Sequence, residues 1–192
     1  MPLHFERLLT AVHAPFTYQA YEITRGEMPR DLDECDAYLI TGSLQGVYDS
    51  DPWIADLSRF IRAAYQAGKK LVGICFGHQI IAHALGGRAE KSAKGWGLGQ
   101  RQFALTAVKA WMTPGMSSCG LYFAHQDQVV KLPPGAERLG GDEFCPNTMF
   151  TIGDQVLGIQ GHPEFTSDFM TAVIASRQDT VPEPVLYPDG KR

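Results

Sequence analysis

Apolar residues recur at helical spacing in two parts of the chain. The first set opens the sequence and predicts an amphipathic helix there; its members are Phe5, Leu8, Leu9 and Val12. The second set predicts a longer helix with a buried stripe of Ile54, Leu57, Ile61 and Ala64. Before this stripe, residues 50–52 (Ser-Asp-Pro) supply a capping residue and a proline at the first helical position, and Gly68 suits the C-terminal cap.

Short runs of apolar and β-branched residues predict strands between these helices. Residues 16–23 and 36–41 precede the second helix, and residues 70–74 follow it and lead into a helix over 77–85. From residue 97 onward the candidate strands alternate with turns instead of helices; they are 101–105, 121–124, 128–132, 149–152 and 156–160. The sequence therefore predicts an α/β fold with a mainly parallel sheet flanked by helices and an antiparallel extension. The last strand is expected to rejoin the main sheet.

The chain is predicted to form one domain. A final helix is expected over residues 166–177, and no internal repeat or long linker interrupts residues 1–178. Residues 179–192 are rich in proline and show no periodicity, which indicates a loose C-terminal tail.

Composition and charge exclude several classes of function. The net charge is -4 and Lys and Arg do not cluster, so neither nucleic acid nor an anionic membrane surface is an expected partner. No apolar run approaches the roughly 18 residues of a membrane span. The first residues lack the layout of a signal peptide, and we therefore expect a cytoplasmic protein.

The cysteines and histidines do not form a metal-binding pattern. Four widely spaced cysteines without a C-x-x-C pair predict free thiols: Cys35, Cys75, Cys119 and Cys145. His78 and His83 lack the H-E-x-x-H arrangement, so they are expected to be packing or surface residues of their helix. Trp96 and Trp111 are expected to cover the core.

Cys75 stands where the predicted strand over residues 70–74 turns sharply into a helix. The segment Gly73-Ile74-Cys75-Phe76-Gly77 has the G-x-C-x-G layout of a nucleophile elbow, in which two glycines allow close backbone approach. The helix N-terminus favours the thiolate form of Cys75, and the N–H of Phe76 can stabilise an oxyanion. The alternative is that Cys75 is a small core residue, because free cysteine is often buried.

A base for this thiol is found 87 residues later. His162 and Glu164 lie two apart, and Pro163 biases His162 towards an extended conformation. Both side chains can then converge at the end of the strand over residues 156–160, where Glu164 would orient the imidazole. Taken alone, this short motif is better explained as a solvated loop; its combination with the elbow favours a catalytic site.

Together these motifs resemble the class I, triad-type glutamine amidotransferases. The resemblance covers roughly residues 36–176 and rests on GICFGHQ around Cys75, GIQGHPEF around His162 and Glu164, and LITGS at residues 39–43. It implies a three-layer, flavodoxin-like fold. It also implies that Gly42 donates a second oxyanion N–H; Ser43 replaces the proline that many relatives have after this glycine.

The same resemblance implies a pocket for glutamine. Gln79, two residues after the elbow, is implied to contact the substrate. The stretch FAHQD at residues 123–127 resembles the family's pocket segment, which implies that His125, Gln126 and Asp127 line the pocket. A polar turn between two strands is an equally good interpretation of these last residues.

Three functions fit the motifs. The first is hydrolysis of glutamine through a γ-glutamyl thioester on Cys75, without a metal or cofactor, supplying ammonia to an acceptor on a separate synthetase chain. The second is hydrolysis of γ-glutamyl peptides by the same triad, as the resemblance to stand-alone γ-glutamyl peptidases implies. The third is a non-enzymatic thiol sensor, against which His162 and Glu164 argue.

One departure from the family concerns the start of the chain. Family domains begin with a strand in the middle of the sheet, whereas this sequence begins with a helix. We therefore expect the first central strand to be absent, with residues 16–23 and 36–41 on either side of a gap. Truncation of a native N-terminal segment, or another element in that slot, would account for this difference.

Overall fold

The structure of the protein is a computed structural model that describes residues 2–11, 16–177 and 185–186. Its helices are α1 (Pro2–Thr10), α2 (Pro52–Gln66), α3 (Phe76–Ala84) and α4 (Ser167–Arg177). The first five strands are β1 (Ala37–Ile40), β2 (Lys70–Ile74), β3 (Arg88–Lys91), β4 (Gly97–Leu105) and β5 (Ser118–His125). The remaining strands are β6 (Asp127–Lys131), β7 (Glu137–Gly141), β8 (Met149–Ile152), β9 (Val156–Ile159) and β10 (Val185–Leu186).

Eight of these strands form one mixed sheet. Strands β1, β2 and β9 pair in parallel, and the sheet continues from β9 through β8 and β7 to β4 by antiparallel pairing. Strand β5 pairs with β4 in antiparallel fashion, and β3 and β6 form a separate two-stranded sheet. The predicted α/β fold with an antiparallel extension is confirmed, and the parallel part is concentrated in three strands.

Helices pack on both faces of the parallel strands. The buried stripe of α2 consists of the four residues that the sequence predicted, and it joins Leu71 of β2 in the largest core cluster. Val72 and Ile74 face the other side, because successive strand residues alternate, and there they pack with Phe5 of α1. This arrangement gives three layers. Phe5 shares this cluster with Cys75, so α1 packs beside the elbow.

The strand predicted over residues 16–23 is wrong. Residues 16–22 form no strand, and Ile23–Arg25 form a short 3₁₀ helix. Phe16 and Tyr18 are largely exposed, so their β propensity is not supported by packing. The Tyr21 hydroxyl instead donates a hydrogen bond to Glu34 at 2.6 Å.

The sequence predicted a missing strand beside residues 36–41, and the structure shows what lies on that side of β1. Within the described residues, β1 pairs with β2 alone and lies at the edge of the sheet. Leu39 is accordingly 36% exposed although it belongs to a strand next to the core.

The two ends of the chain differ from the sequence expectations in detail. Val12 of the first predicted stripe lies outside the described residues, as does most of the predicted tail. Val185 and Leu186, within that tail, pair in parallel with Gly97 and Leu98, so this short segment belongs to the sheet. The division into a domain over residues 1–178 and a tail stays a prediction.

Among the described residues, no helix is both long enough and apolar enough to cross a bilayer.

Candidate active site

The elbow between β2 and α3 holds Cys75 in an unusual backbone conformation. Cys75 has φ 55° and ψ −107°, and it is the one non-glycine residue with positive φ in the described parts of the chain. Its N–H donates to the carbonyl of Ile159 at 2.9 Å, and its own carbonyl accepts from the N–H of Gln79 at 3.1 Å. These bonds fix the elbow to β9 on one side and to α3 on the other.

The two elbow glycines are required by space. A Cβ on Gly73 would lie 2.4 Å from the carbonyl oxygen of Gly77. A Cβ on Gly77 would lie 2.0 Å from the carbonyl oxygen of Ile40, at the end of β1. The turn can therefore close tightly only because both positions lack a side chain, as the G-x-C-x-G pattern predicted.

His162 and Glu164 meet Cys75 just beyond the end of β9. The N–H of His162 donates to the Tyr122 carbonyl at 2.7 Å, which anchors this segment to β5. His162 Nδ1 lies 2.7 Å from Glu164 Oε1, and both side chains are buried. A carboxylate oxygen accepts, so Nδ1 carries the hydrogen and Nε2 is the ring atom left to face Cys75.

The protonation of His162 depends on its two neighbours. Burial lowers the pKa of His162, but the charge of Cys75 and the hydrogen bonds with Cys75 and Glu164 outweigh burial and raise it to about 9. The ring also stacks on Phe165, with centroids 3.9 Å apart and planes 9° from parallel. The arrangement therefore favours an imidazolium beside the sulfur at neutral pH.

The two residues predicted to donate oxyanion N–H groups lie at the start of α3 and just after β1. Phe76 is the first residue of α3, so its N–H is among those that the helix leaves without an internal partner. Gly42 follows the end of β1, whose Ile40 carbonyl is in contact range of Gly77. Ser43, the next residue, lines the cavity in front of Cys75.

Cys75 opens into a cavity of about 210 Å³. All four residues that the resemblance assigned to the glutamine pocket line it: Gln79, His125, Gln126 and Asp127. Gln126 forms the bend between β5 and β6, so this segment is a polar turn between two strands and also lines the cavity. The turn and the pocket are one feature.

The backbone carbonyl of Asp127 joins two of the pocket side chains. It accepts from Gln79 Nε2 at 2.9 Å and lies 2.9 Å from His125 Nδ1. A carbonyl cannot donate, so Nδ1 of His125 carries the hydrogen and Nε2 presents a lone pair. Burial lowers the pKa of His125 to about 4, which keeps this ring neutral.

The side chain of Asp127 faces Tyr48 from a separate loop. Burial and the hydrogen bond with Asp127 raise the pKa of Tyr48 to about 12. Burial also raises the pKa of Asp127, against the hydrogen bond from Tyr48 and the charge of Lys91. A Cβ on Gly46 would come within 2.7 Å of the Tyr48 ring, so a glycine there lets this pair form.

Several residues of the cavity were not found from the sequence. They come from two separate loops, from β3 and from the end of α4: Leu44, Gln45, Gly46, Tyr48, Asp49, Lys91, Trp96 and Arg177. Trp96 was expected only to cover the core, but it also lines the cavity and packs 4.7 Å from the Arg177 guanidinium. No local spacing connects these positions, so only the tertiary fold reveals them.

The remaining candidates lie away from the cavity. His78 is completely buried against Phe150, whereas His83 is exposed on the same helix. Trp111 is 46% exposed. In the part of the chain that the structure describes, no group of three or more His, Cys, Asp or Glu side chains is placed to hold a metal ion.

Comparison with known proteins identifies the family. The sequence matches the family described as glutamine amidotransferase class-I over residues 6–177. The chain belongs to this family. The resemblance predicted from the three motifs is thereby confirmed.

Individual relatives agree with this assignment. The chain is 32% identical over 166 residues to gamma-glutamyl peptidase 5 of Arabidopsis thaliana, which covers 82% of the chain and 65% of that protein. It is 32% identical over 146 residues to the glutamine-hydrolyzing GMP synthase of Porphyromonas gingivalis, covering 72% of the chain and 26% of the synthase. The chain therefore spans just under two thirds of the peptidase and a quarter of the synthase.

A solved structure shows the same fold. The crystal structure of a glutamine amidotransferase from Methylobacillus flagellatus superimposes with a TM-score of 0.81 at 24% identity, covering 97% of this chain and 75% of that one.

Proposed function

We propose that this protein hydrolyses the side-chain amide of glutamine, with Cys75 as nucleophile, and releases ammonia. The observation that supports this most directly is the elbow thiol at a cavity with the buried His162–Glu164 pair beside it. The family supports the same activity, because its description names glutamine as the amide donor.

The first half of the reaction forms a thioester. The Cys75 thiolate attacks the amide carbon of the substrate side chain, and the carbonyl electron pair moves onto oxygen. The N–H groups of Gly42 and Phe76 stabilise this oxyanion; one such donor typically contributes about 2.7–4 kcal/mol in the transition state. His162 then donates its proton to the departing nitrogen, the C–N bond breaks and ammonia leaves.

The second half releases glutamate. His162 is now neutral and takes a proton from water, whose oxygen attacks the thioester carbon. The C–S bond breaks, the electron pair returns to sulfur, and the imidazolium–thiolate pair is restored. Glu164 keeps the Nδ1 hydrogen of His162 in place through both halves, so that Nε2 faces the reacting atoms.

The test is ammonia release from L-glutamine by wild type and by Cys75→Ala. We expect the variant to lose at least about 1000-fold in rate, because residual catalysis would come only from binding and the oxyanion donors. Cys119→Ala, which removes a half-buried thiol on β5, is the matched control and should retain the activity. Acid-quenched wild type should carry a γ-glutamyl group on the peptide containing Cys75. Activity in Cys75→Ala comparable to wild type would refute the proposal.

A second candidate is hydrolysis of γ-glutamyl peptides by the same residues. Two observations favour it: the similarity to gamma-glutamyl peptidases, and the presence of Lys91 and Arg177 among the residues that line the cavity. A peptide leaving group carries a carboxylate that ammonia lacks, and a cation at the cavity would attract it.

A matched pair of variants separates the two substrates. Lys91→Gln should lower kcat/KM for a γ-glutamyl dipeptide while leaving L-glutamine hydrolysis nearly unchanged. Lys131→Gln, an exposed lysine on β6 outside the cavity, should affect neither. If wild type hydrolyses glutamine but no γ-glutamyl dipeptide, the second candidate is wrong.

The other expectations from the sequence remain proposals. A separate synthetase chain as ammonia acceptor fits the similarity to GMP synthase. Cytoplasmic location stays a prediction from the sequence. The alternative that Cys75 is a small core residue predicts that iodoacetamide labels it no faster than Cys35 or Cys119, whereas the proposed thiolate should react much faster. Fast labelling without turnover would favour the thiol sensor.

A further inference from the structure

Gln160 is a completely buried glutamine that has no role in the mechanism described above. It directly follows β9 and precedes His162 by two residues. Its N–H donates to the Thr148 carbonyl at 2.8 Å, and its side-chain Oε1 accepts from Gln79 Nε2 at 3.1 Å. Its own Nε2 is buried without a hydrogen-bond partner among the described residues.

The unpartnered Nε2 of Gln160 lowers the stability of the fold, so packing alone does not explain a glutamine at this position. Burying an amide nitrogen without a partner costs free energy, and an apolar side chain of similar size would avoid that cost. The contact that Gln160 does make is with Gln79, which lines the cavity in front of Cys75.

The hydrogen-bond directions in this cluster follow from one backbone atom. The Asp127 carbonyl can only accept, so the Gln79 atom 2.9 Å from it must be Nε2. The same Nε2 is the atom that faces Gln160, so Gln160 must present Oε1. Both amide hydrogens of Gln79 are thus engaged, and its Oε1 accepts no hydrogen bond from the described residues.

We propose that Gln160 is a positioning residue that fixes the amide of Gln79 so that Oε1, an acceptor, faces the substrate. This proposal rests on the proposed function. It implies that Gln79 Oε1 accepts a hydrogen bond from a donor group of the substrate. In a γ-glutamyl compound whose amide carbon lies at Cys75, the donor group away from the reacting bond is the α-ammonium. Gln160 therefore acts in selecting compounds with a free α-amino group over analogues that lack it.

The test measures binding rather than turnover, in the Cys75→Ala background. We expect Gln160→Met to weaken L-glutamine binding about 10-fold, since a hydrogen bond to a charged group is lost when Gln79 can rotate. Glutaramate is glutamine without its α-amino group. Its affinity should be the same within about 2-fold for the Cys75→Ala protein with and without Gln160→Met. Gln79→Met should have a similar effect on L-glutamine, and the double variant should show no further loss, because the two residues act as one unit.

Gln128→Met is the matched control. Gln128 is also a buried glutamine, 4% exposed, whose Nε2 lacks a partner among the described residues, but it does not line the cavity. This variant should leave the preference for L-glutamine over glutaramate unchanged. Equal weakening of both ligands by Gln160→Met, or additive losses in the double variant, would overturn the proposal.

Two further measurements keep the outcome unambiguous. If Gln160→Met does not fold, NMR of the wild type decides: both side-chain amide hydrogens of Gln79 should exchange slowly, and rapid exchange of both would contradict the assignment. The proposed function fails separately, if wild type shows no Cys75-dependent turnover. Unchanged binding selectivity in Gln160→Met alongside Cys75-dependent turnover defeats only the role of Gln160.

Discussion

At the scale of single residues, the backbone of Cys75 is the most telling feature. A positive φ at a residue with a Cβ costs on the order of 1–3 kcal/mol and persists where the surrounding structure imposes it. Here hydrogen bonds to β9 and α3 impose it, and the thiol is directed into the cavity as a result.

The strain at Cys75 predicts which of two substitutions at this position is the more stable. We expect Cys75→Gly to be more stable than Cys75→Ala by about 1 kcal/mol, because glycine adopts positive φ freely and alanine does not. Urea unfolding of the two inactive variants measures this difference. Ala63→Gly, within α2, is the control and should lose about 1 kcal/mol relative to wild type. A Cys75→Gly variant less stable than Cys75→Ala would show that the elbow is not strained.

The charge state of His162 provides a second prediction at this scale. The charge of Cys75 helps to raise the pKa of His162 to about 9 against the effect of burial. Cys75→Ser removes that charge, so we expect the titration midpoint of His162 to fall, as followed by NMR of its ring. Cys119→Ser should leave the midpoint in place. An unchanged midpoint in Cys75→Ser would mean that Cys75 does not interact with the ring as a charge.

At the scale of elements, the contact between α3 and β1 holds the site together. The first turn of α3 lies against the end of β1, where Gly77 approaches the Ile40 carbonyl. Phe76 begins this helix and Gly42 follows this strand, so the contact joins the two segments that carry the proposed oxyanion donors.

A methyl group tests this packing. Gly77→Ala places a Cβ 2.0 Å from a backbone oxygen, and we expect it to destabilise the fold by at least about 2 kcal/mol and to abolish activity. Gly120→Ala on β5 meets its nearest neighbour, Gln102 Cγ, at an ordinary 3.8 Å and should change stability by less than about 0.5 kcal/mol. Thermal melts of both variants measure the contrast. Similar melting temperatures for the two would contradict close packing at Gly77.

The elements that the sequence predicted well are those with a strong local pattern. The α2 stripe and the strand–elbow–helix unit around Cys75 depend on spacing between near neighbours, and the structure has them at the expected positions. Strands β3 and β7 were not predicted, because β3 is polar and β7 ends in two glycines. In the fold β3 pairs with the distant β6, and β7 pairs with the neighbouring β8 and with the more distant β4. The prediction of a strand over residues 16–23 was wrong for the opposite reason: this segment has β propensity but pairs with no strand among the described residues.

At the scale of the whole molecule, the site combines segments far apart in sequence. Gln79 contacts Gln160 across 81 residues and Asp127 across 48 residues. The motifs, with the family resemblance, point to the residues that we propose to perform the chemistry. Tyr48, Lys91 and Arg177 could not be found that way, because their meeting is a property of loop positions in the folded chain.

Stability in acid should also be a property of the whole fold. Burial lowers the pKa of His78 to about 3 and that of His125 to about 4, below the ordinary value of 6.5. Below pH 6.5 the unfolded chain therefore binds more protons than the native protein. The free energy of unfolding should fall as the pH drops from 6.5 towards 4, by up to about 1.4 kcal/mol per pH unit for each histidine.

Variants on one helix isolate this effect. His78→Gln should flatten the pH dependence of the free energy of unfolding between pH 6.5 and 4 by up to one histidine's share. His83→Gln replaces an exposed histidine of the same helix and should keep the wild-type slope. Denaturant unfolding at several pH values measures both slopes. Parallel curves for His78→Gln and wild type would show that His78 does not resist protonation in the fold.

The carbonyl of Asp127 has a consequence for how this enzyme can diverge. It orients both Gln79 and His125, yet it belongs to the main chain, so every amino acid at position 127 supplies it. Alanine scanning would leave this acceptor untouched and would rank the position by its carboxylate alone. A substitution at position 127 would therefore change the contact with Tyr48. It would keep the backbone carbonyl that orients the Gln79 and His125 side chains. Substrate preference could drift at this turn without disturbing the geometry on which recognition depends.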